Sequence, residues 1–327
     1  MAEMLLPNSL SVIIPTYNRS EVIAKALEGY RAQSSPALIQ ELLVVDDGST
    51  DDTESVVRQF SATAPFQVRY LRQPNQGPAA ARNLGIRQAR SNLLLFTDSD
   101  IIPERELVAQ HIEWHKRNPE IGTAVLGYVT WSPAVEPTPF MRWYGEGSGR
   151  LFGYDQLQAG EKVSFRYFWT CNLSLKRDFL LTCGQFDEDF KGAAFEDVDL
   201  GYRLSKHGLQ IFYNPAAIGY HYQFFSFEAA CRKERGKDPA ARVFSQKESG
   251  RLITGETEGK KDRTKYAAAR SAAKKVAVAL TRVLAPVRPW LDSKVPLPSF
   301  VYKLFLWYDL NHGCMVVDRK GHSSNRA

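Results

Sequence analysis

The first third of the chain alternates short apolar runs with helical patterns, and this alternation limits the fold more than any other feature. Strands and helices are predicted in turn at residues 10–15, 20–33, 41–45, 51–60, 68–71, 78–89 and 93–97. Ser20 is the expected cap of the first helix. Because strand–helix–strand units are joined by right-handed crossovers, their strands lie parallel. We therefore expect an α/β fold with a doubly wound, mostly parallel, Rossmann-like central sheet.

Polar residues directly follow three of these predicted strands. Thr16 and Tyr17 follow the first strand, Asp46 and Asp47 the second, and Asp98-Ser99-Asp100 the fourth. Ligands of such sheets bind beyond the carboxyl ends of the strands, so these residues are expected to share one site. Two carboxylates one residue apart also suit Mg²⁺ or Mn²⁺, which leave coordination positions open for phosphate oxygens. The alternative for an isolated acidic triplet is a solvated turn.

The second half of the chain has a looser pattern. Strands are predicted at 127–131, 168–175 and 209–213, and helices from Arg177 and over 197–207, with Gly208 as the stop signal of the latter. Residues 132–165 are rich in Pro, Gly and aromatic residues and are expected to form a long loop region on the substrate side. After about residue 226 the alternation ends, and we expect a charged, partly loop segment over 234–265.

The charge distribution supports a division near residue 225. Residues 1–225 carry 21 Lys and Arg against 26 Asp and Glu, a net charge of −5, whereas residues 226–327 carry 21 against 10, a net charge of +11. We expect a catalytic domain over 9–225 and a basic, mainly helical extension over 226–327, with helices at 266–284 and 298–311. Nucleic acid is not an expected partner, because no recognised binding motif accompanies the positive charge.

The basic extension suits the surface of an anionic membrane. Its cations alternate with Ala, Val and Leu and are Lys260, Lys261, Arg263, Lys265, Arg270, Lys274, Lys275, Arg282 and Arg288. The aromatic residues expected to enter the headgroup region are Phe300, Phe305, Trp307 and Tyr308. The alternative is a helical appendage that packs on the catalytic domain and leaves its basic face in water.

The sequence disfavours a secreted or membrane-spanning protein. The four cysteines show no close pairing, which favours a reducing compartment. The start of the chain lacks a basic segment followed by an apolar core, so no signal peptide is expected, and no apolar run is long enough to span a bilayer. The expected location is cytoplasmic, with peripheral attachment to the inner face of the cytoplasmic membrane if the basic extension binds lipid.

Five local patterns occur in a fixed order along the chain. They are Pro15-Thr16-Tyr17-Asn18-Arg19, Val44-Val45-Asp46-Asp47-Gly48-Ser49, Gly77 to Gly85, Asp98-Ser99-Asp100, and Phe195 to Leu204. Together they resemble the family 2 glycosyltransferases, inverting enzymes of the GT-A fold that use nucleotide-sugar donors. The resemblance covers about residues 9–225, and the ordered set is far more specific than any single pattern.

The resemblance implies a donor site made by the first four patterns. Pro15, Thr16 and Tyr17 correspond to the first loop that contacts the nucleotide. Asp46 corresponds to the carboxylate that binds the base, and Asp47 lies near the ribose or holds the turn. Arg82 corresponds to a basic residue at the nucleotide end, and Asp98 and Ser99 lie on the ribose side. Asp98 and Asp100 form the DxD pair for Mn²⁺ or Mg²⁺, with Asp100 as the direct ligand.

The resemblance also implies the acceptor side of the site. Glu196-Asp197 corresponds to the ED motif, in which the aspartate is the general base. His221 corresponds to a histidine that reaches the metal or the diphosphate in some members, and the alternative is an ordinary core or surface histidine. Trp169 and Asn172 are candidates for the acceptor or sugar pocket, with core packing as the alternative. The predicted helix start keeps Asp197 ionised but weakens it as a base, so burial must decide its basicity.

These assignments predict a metal-dependent, inverting transfer of one sugar from a nucleotide donor, with UDP-sugars favoured, to a hydroxyl of a glycan or lipid-linked acceptor. Polysaccharide, glycolipid and cell-surface glycan assembly are the expected settings. The Gln-x-x-Arg-Trp signature of processive members is absent. The alternatives are an inactive nucleotide-sugar-binding protein on the same fold, and a nucleotidyltransferase, which would need a Gly-rich phosphate loop near residues 15–19.

His111 and His115 have the spacing of a metal-binding pair on a helix. Since no third ligand is evident and Glu113 lies off their face, we expect a solvated helix instead.

Overall fold

The computed structural model describes residues 9–254, 274–312, 315–317 and 323–325. By their contacts the residues group into two compact units. The first unit comprises residues 1–135, 154–223 and 239–250, and the second comprises 136–153, 224–238 and 251–327. The predicted division into a catalytic domain over 9–225 and an extension over 226–327 stays a prediction.

Within the described part of the first unit, nine strands form one sheet. They are β1 (Leu10–Thr16), β2 (Ile39–Asp46), β3 (Gln67–Arg72), β4 (Leu93–Thr97), β5 (Ile101–Pro103), β6 (Thr123–Trp131), β7 (Lys162–Val163), β8 (Asn172–Lys176) and β9 (Gln210–His221). The order is β3-β2-β1-β4-β8-β6-β9, and β5 and β7 both pair with β9. The pairs among β1 to β4 are parallel, as is β6 with β9, while β8 runs antiparallel to both of its neighbours.

Along the chain, the described helices alternate with the strands and continue after β9. They are α1 (Ser20–Arg31), α2 (Thr53–Ser61), α3 (Pro78–Gln88), α4 (Leu107–Arg117), α5 (Pro139–Arg142), α6 (Arg177–Cys183), α7 (Glu196–Ser205), α8 (Phe227–Gly236), α9 (Asp238–Gln246), α10 (Glu248–Thr254), α11 (residues 274–283) and α12 (Ser299–His312). No helix in these described ranges is both long and apolar enough to cross a bilayer.

Helices cover both faces of the parallel half of the sheet. Val12 and Ile14 of β1 belong to a buried cluster that includes Ile23 of α1. Ile13 points to the opposite face, where a Cβ added at Gly85 of α3 would lie 2.6 Å from its Cγ2. A strand that is buried on both faces needs apolar residues at successive positions, which is why Val12, Ile13 and Ile14 follow one another in β1. The predicted doubly wound α/β architecture is therefore confirmed.

The first helix begins differently from the prediction. Ser20 is the first residue of α1 rather than its cap, and the cap position belongs to Arg19, whose side chain makes no capping hydrogen bond. The Ser20 N–H instead donates to Asp51 Oδ2 at 3.0 Å, so a carboxylate from the loop before α2 replaces the local cap. The end of the helix is therefore satisfied by a residue thirty-one positions away, which local propensity does not reveal.

The last strand is longer than predicted. Strand β9 runs to His221, beyond the predicted end at residue 213, although Pro215 interrupts its hydrogen-bonding pattern. The register with β6 shifts there, because Gly127 is opposite Asn214 and the next residue, Tyr128, is opposite Ile218. The bulge accommodates the proline and allows the strand to continue. This continuation carries β9 alongside β5.

Two segments predicted as loops contain regular structure. Residues 132–165 include α5, the π-helical turn Trp143–Gly147 and β7, and part of this segment belongs to the second unit. Residues 234–254 are mostly helical through α8, α9 and α10, so the expectation of a partly loop segment is wrong for them. Residues 255–265, together with the predicted helical positions 266–273, lie outside the described residues.

The second unit has an aromatic core of its own. Phe140 of α5 lies 5.2 Å from Phe227 of α8 and 5.6 Å from Tyr302 of α12, measured between ring centroids. Arg288 and Asp309 form a two-pronged ion pair in the same unit. These contacts join α5, α8 and α12 into one packed group.

Candidate active site

The carboxyl ends of β1, β2 and β4 lie side by side, because these strands are adjacent and parallel. Thr16 is directly opposite Asp46 in the β1–β2 register. Two hydrogen bonds join the loops that follow, from Asn18 N–H to Ser49 Oγ and from Thr50 N–H to Asn18 Oδ1, both at 2.8 Å. The predicted nucleotide-contacting residues are thus brought to one edge of the sheet.

The Asp46 carboxylate is fully buried and already engaged on both oxygens. Its Oδ1 accepts a hydrogen bond from Ser49 N–H at 2.7 Å, and its Oδ2 accepts a short one from the Tyr70 hydroxyl. Burial raises the pKa of Tyr70, and Asp46 raises it further, so the phenol keeps its proton and remains a donor. Tyr70 is a contributor to this site that the sequence analysis missed, because an aromatic residue in a strand gives no functional signal.

Asp47 holds the loop that leads into α3. Its carboxylate accepts hydrogen bonds from Gln73 Nε2 at 2.8 Å, Gln76 N–H at 2.9 Å and Gly77 N–H at 2.8 Å. Gly77 has φ +94° and a Cβ placed there would lie 2.6 Å from Lys191 O, so only glycine fits. Of the two roles left open for Asp47, these contacts favour the turn.

The end of β1 offers an aromatic ring and an unsatisfied hydroxyl. Tyr17 is 48% exposed, which leaves its ring available for stacking. Thr16 is buried, and its Oγ1 has no hydrogen-bond partner within the described chain. Pro15 is partly buried beside Val45. A buried hydroxyl without a partner is costly in the free protein, so Thr16 is well placed to gain a hydrogen bond from a ligand.

The pairing of β5 with β9 brings His221 to the acidic triplet. Ile101 is opposite His221 in that register, and Tyr222 N–H donates to the Asp100 carbonyl at 2.8 Å. As a result His221 Nε2 lies 3.7 Å from Asp100 Oδ2. Arg19 Nη1 lies 3.5 Å from the same Asp100 oxygen. Arg19 belongs to the first of the five sequence patterns, but the sequence analysis gave it no role.

A divalent cation fits part of this arrangement. Asp100 supplies a carboxylate oxygen and His221 an imidazole nitrogen, both accepted ligands of Mn²⁺. No group of three or more His, Cys, Asp or Glu side chains in the described chain could hold a metal unaided. Two protein donors therefore leave the remaining positions to phosphate oxygens and water, as is usual for Mg²⁺ at phosphate sites.

A single guanidinium joins the acidic triplet to the second acidic motif. Arg82 Nη2 lies 2.9 Å from Asp98 Oδ1, and Nη1 lies 2.8 Å from Glu196 Oε1. Both Arg82 and Glu196 are buried, whereas the Asp98 side chain is 39% exposed. The ring of Phe186 lies 5.6 Å from the guanidinium carbon and fixes its position from one side. Ser99, next to Asp98, is buried.

Asp197 follows Glu196 in the first turn of α7. Burial raises the pKa of Asp197 to about 7, the Glu196 carboxylate acts in the same direction, and Arg82 acts against both. The helix dipole was expected to favour the ionised form and burial to decide the basicity, and in the structure the effect of burial is the larger one. Phe195, the cap of α7, has a left-handed backbone with φ +69°, which is strained for an aromatic residue. A carboxylate with a pKa near neutrality is suited to accept a proton.

Cys171 is a further residue of this site that the sequence analysis did not single out. Burial raises the pKa of its thiol, and the negative charges of Asp98, Asp197 and Asp100 raise it further. The ion pairs of Arg82 with Asp98 at 2.9 Å and Glu196 at 2.8 Å join the two acidic motifs, and the charges of both motifs act on Cys171. The sequence indicated only an unpaired cysteine and gave no hint of its neighbours.

Asn172 is unavailable to a ligand in this structure. Its side chain is buried, its amide nitrogen donates to the Tyr128 and Ala217 carbonyls, and its oxygen contacts His111 Nε2 at 2.9 Å. These contacts favour the packing alternative for Asn172. Trp169 is partly buried beside Tyr154, with ring centroids 5.2 Å apart, so its place in a sugar pocket stays a prediction.

The expectation of a solvated helix at His111 and His115 is wrong. Both side chains are buried, and each has a ring nitrogen within 2.9 Å of Ser174 Oγ on β8. Burial lowers the pKa of His111 to about 4 and that of His115 to about 3. The two histidines therefore stay neutral and act as polar packing between α4 and the sheet.

Comparison with known proteins agrees with this arrangement. The sequence profile of glycosyl transferase family 2 matches residues 11–178. The chain is 33% identical over 222 residues to validoxylamine A glucosyltransferase of Streptomyces hygroscopicus subsp. jinggangensis (strain 5008), covering 61% of this chain and 52% of that protein. It is 25% identical over 271 residues to chondroitin synthase of Escherichia coli, covering 75% and 39% respectively. The chain spans about half the length of the first curated relatives it matches.

Solved structures show the same fold at lower identity. The mannosyltransferase PcManGT of Pyrobaculum calidifontis, solved with GDP-Man and Mn²⁺, is 19% identical with a TM-score of 0.55, over 92% of this chain and 87% of that one. S. aureus TarS 1-349 in complex with UDP is 18% identical with a TM-score of 0.51, over 97% and 96%. The architecture is that of the GT-A glycosyltransferases. The chain belongs to glycosyl transferase family 2.

Proposed function

We propose that this protein transfers one sugar from a nucleoside diphosphate donor, with a UDP-sugar favoured, to a hydroxyl of a glycan or lipid-linked acceptor, with inversion at the anomeric carbon. The observation that carries the proposal is the bridge that Arg82 makes between the two acidic motifs, to Asp98 at 2.9 Å and to Glu196, the neighbour of Asp197, at 2.8 Å. Donor binding requires Asp98 and Asp100, and acceptor activation requires Asp197. Glycan assembly at the cytoplasmic side of a membrane is the proposed setting.

The donor is proposed to lie across the ends of β1, β2 and β4. Tyr17 would stack on the base, and Thr16 Oγ1 would gain the hydrogen bond that it lacks within the described chain. Asp46 is the proposed base-binding carboxylate, although both of its oxygens have partners in this structure. Each carboxylate oxygen has two lone pairs, so a further N–H can be accepted without releasing Ser49 or Tyr70.

Asp100 and His221 are the proposed protein ligands of Mn²⁺ or Mg²⁺. A divalent cation bound there supplies Lewis-acid stabilisation to the negative charge of the departing diphosphate. Arg19, which reaches the same carboxylate, adds a positive charge on this side of the site. Asp98 is the weaker candidate ligand, because one of its oxygens is held by Arg82.

Asp197 is the proposed general base for the acceptor hydroxyl. With a pKa of about 7 it is about half ionised at neutral pH and strong enough to take a proton as the hydroxyl attacks. Attack from the face opposite the diphosphate inverts the anomeric centre. The charges of Glu196 and Arg82 act on its basicity from opposite directions, and Val198 N–H donates a hydrogen bond to its Oδ1 at 2.7 Å.

The test is transfer and donor hydrolysis with a panel of UDP-, GDP- and dTDP-sugars in the presence of Mn²⁺, with the anomeric configuration of the product read by NMR. We expect a UDP-sugar to be consumed with inversion, loss of activity on chelation, and recovery on adding Mn²⁺. Asp197→Asn should lower the rate by a factor on the order of a hundred or more. A retained configuration, or a wild-type rate in this variant, would refute the assignment.

The inactive alternative gives a different result in the same experiment. A binding protein without catalysis would show donor-dependent thermal stabilisation with Mn²⁺ but no turnover with any sugar. Asp100→Asn separates the two parts of the proposal, since it should weaken donor binding, whereas Asp197→Asn should leave donor binding intact and remove turnover.

A further inference from the structure

Helix α11 of the second unit exposes an apolar stripe. Val276, Leu280 and Val283 are spaced at i, i+4 and i+7 and therefore lie on one face of the helix. Their exposed fractions are 58%, 48% and 74%. A surface helix normally turns such a stripe toward the core, but in α11 the buried position is Thr281. The described part of the chain leaves this stripe in water, so its burial requires a partner.

A basic cavity lies along the neighbouring side of the same helix. It has a volume of about 520 Å³, and its lining residues are Lys274, Lys275, Val278, Ala279, Arg282, Trp307, Asn311 and His312. No carboxylate is among these lining residues. In the part of the chain that the structure describes, Lys274, Lys275 and Arg282 form no ion pair within 4.0 Å, which leaves the positive charge of the cavity uncompensated.

Charge complementarity defines the chemistry of the partner. Three cations in one concave site suit a phosphate, and the Trp307 ring provides an amphipathic wall of the kind found at membrane interfaces. An exposed apolar stripe beside basic residues is the arrangement by which helices lie in the plane of an anionic bilayer. Both features occur on α11 and point to a single occupant.

We propose that α11 is a docking surface for an anionic phospholipid bilayer. Val276, Leu280 and Val283 enter the boundary between headgroups and acyl chains, while Lys274, Lys275 and Arg282 bind headgroup phosphates. This binding involves no donor, metal or acceptor, so it stands or falls independently of glycosyl transfer. It also replaces part of the sequence-based hypothesis, because Phe305 and Tyr308 are buried in the second unit and are unavailable to lipid.

A second copy of this chain is a poorer occupant of the surface. A symmetric dimer on α11 would place the same basic rim on both sides of the interface. Lys274, Lys275 and Arg282 would then meet their own counterparts across a partly dehydrated contact, where like charges repel strongly. A lipid surface instead supplies negative charge and apolar depth together.

The test compares co-sedimentation with vesicles of phosphatidylcholine alone and of phosphatidylcholine and phosphatidylglycerol in equal amounts. We expect binding only to the anionic vesicles, with an affinity that falls as salt is raised. In Lys274→Gln/Lys275→Gln/Arg282→Gln the affinity should fall on the order of a hundredfold, since each cation near the surface contributes about 1 kcal/mol. Val276→Gln/Leu280→Gln/Val283→Gln should also lose binding, even at low salt.

The matched control is Lys25→Gln/Lys116→Gln/Lys162→Gln, which makes the same charge change at exposed lysines of the first unit. It should keep nearly full vesicle binding, and circular dichroism checks that every variant is folded. Equal binding to both vesicle types, no binding by the wild type, or equal losses in the control and α11 variants would overturn the proposal. A stripe variant that changes only the oligomeric mass measured by light scattering would favour a second copy instead.

Discussion

Replacing Asp197 by asparagine should remove activity and, at alkaline pH, stabilise the folded protein. The pKa of this carboxyl is raised from its usual 3.8 to about 7. Between these values the folded chain holds a proton that the unfolded chain has released, so stability falls as pH rises and the full cost is present above about pH 7. One pKa unit corresponds to about 1.4 kcal/mol, which makes the upper limit of the cost on the order of 4 kcal/mol.

The asparagine side chain is itself polar and keeps part of the cost of burial, so we expect the variant to gain about 2 kcal/mol at pH 8. This corresponds to a rise in melting temperature of roughly 4–8 °C for a domain of this size. The asparagine oxygen can still accept the hydrogen bond from Val198 N–H, which lies 2.7 Å from Asp197 Oδ1. The isosteric change therefore removes the partly buried charge and little else.

Thermal denaturation of the wild type and the variant at about pH 5 and about pH 8 measures this effect, and the gain should shrink toward the lower pH. Asp178→Asn is the matched control, because Asp178 also lies in the first turn of a helix, α6, but is exposed. The control should lose about 0.5 kcal/mol of helix-dipole stabilisation. If Asp197→Asn melts at or below the wild type at pH 8, or shows the same difference at both pH values, burial does not set the basicity of this residue.

Three further changes test other parts of the site and its scaffold. Arg82→Met leaves the Glu196 carboxylate buried without its cation, so we expect a loss of about 3 kcal/mol by chemical denaturation, and an acid limb of the kcat/KM profile that moves to higher pH. Gly77→Ala forces a left-handed φ and a contact with the Lys191 carbonyl, and calorimetry should show a loss of about 2 kcal/mol with weaker donor binding. His115→Leu should reduce the fall in melting temperature between pH 7 and pH 4. In the folded protein the pKa of His115 is lowered to about 3, so the buried side chain stays neutral in this range. In the unfolded chain the same histidine takes up a proton below its usual pKa of 6.5, and the wild type therefore loses stability as the pH falls.

The parallel half of the sheet was predictable because its signals are local. The strand at 93–97 has the predicted bounds, and β1 and β2 extend beyond theirs by one to three residues. Each of these strands contains a continuously apolar run that is buried on both faces, namely Val12 to Ile14, Leu42 to Val45 and Leu93 to Phe96. The Asp residues that follow them are equally local signals, and the parallel topology brings them together.

The sequence-based predictions differ from the structure where contacts with a distant segment determine the local structure. Strand β9 continues beyond Pro215 because a bulge in its pairing with β6 accommodates the residue that lacks a backbone N–H. No property of residues 209–221 alone indicates this bulge. His111 and His115 lie on a helix whose other residues include exposed charges, so their burial depends on Ser174, about sixty positions later. Asn172 is buried because Gly127 leaves room for it, since a Cβ there would lie 2.2 Å from its Nδ2.

Arg82 makes the two halves of the site depend on one another during synthesis as well as in the finished enzyme. Its partner Glu196 lies 114 residues further along the chain, beyond residues 11–178, which match the family profile. A nascent or truncated chain that stops before α7 would lack Glu196 and keep Asp98 as the remaining partner in the ion pairs given for Arg82. Chimaeras that exchange the segment around α7 between relatives therefore need to carry Arg82 and Glu196 as a matched pair.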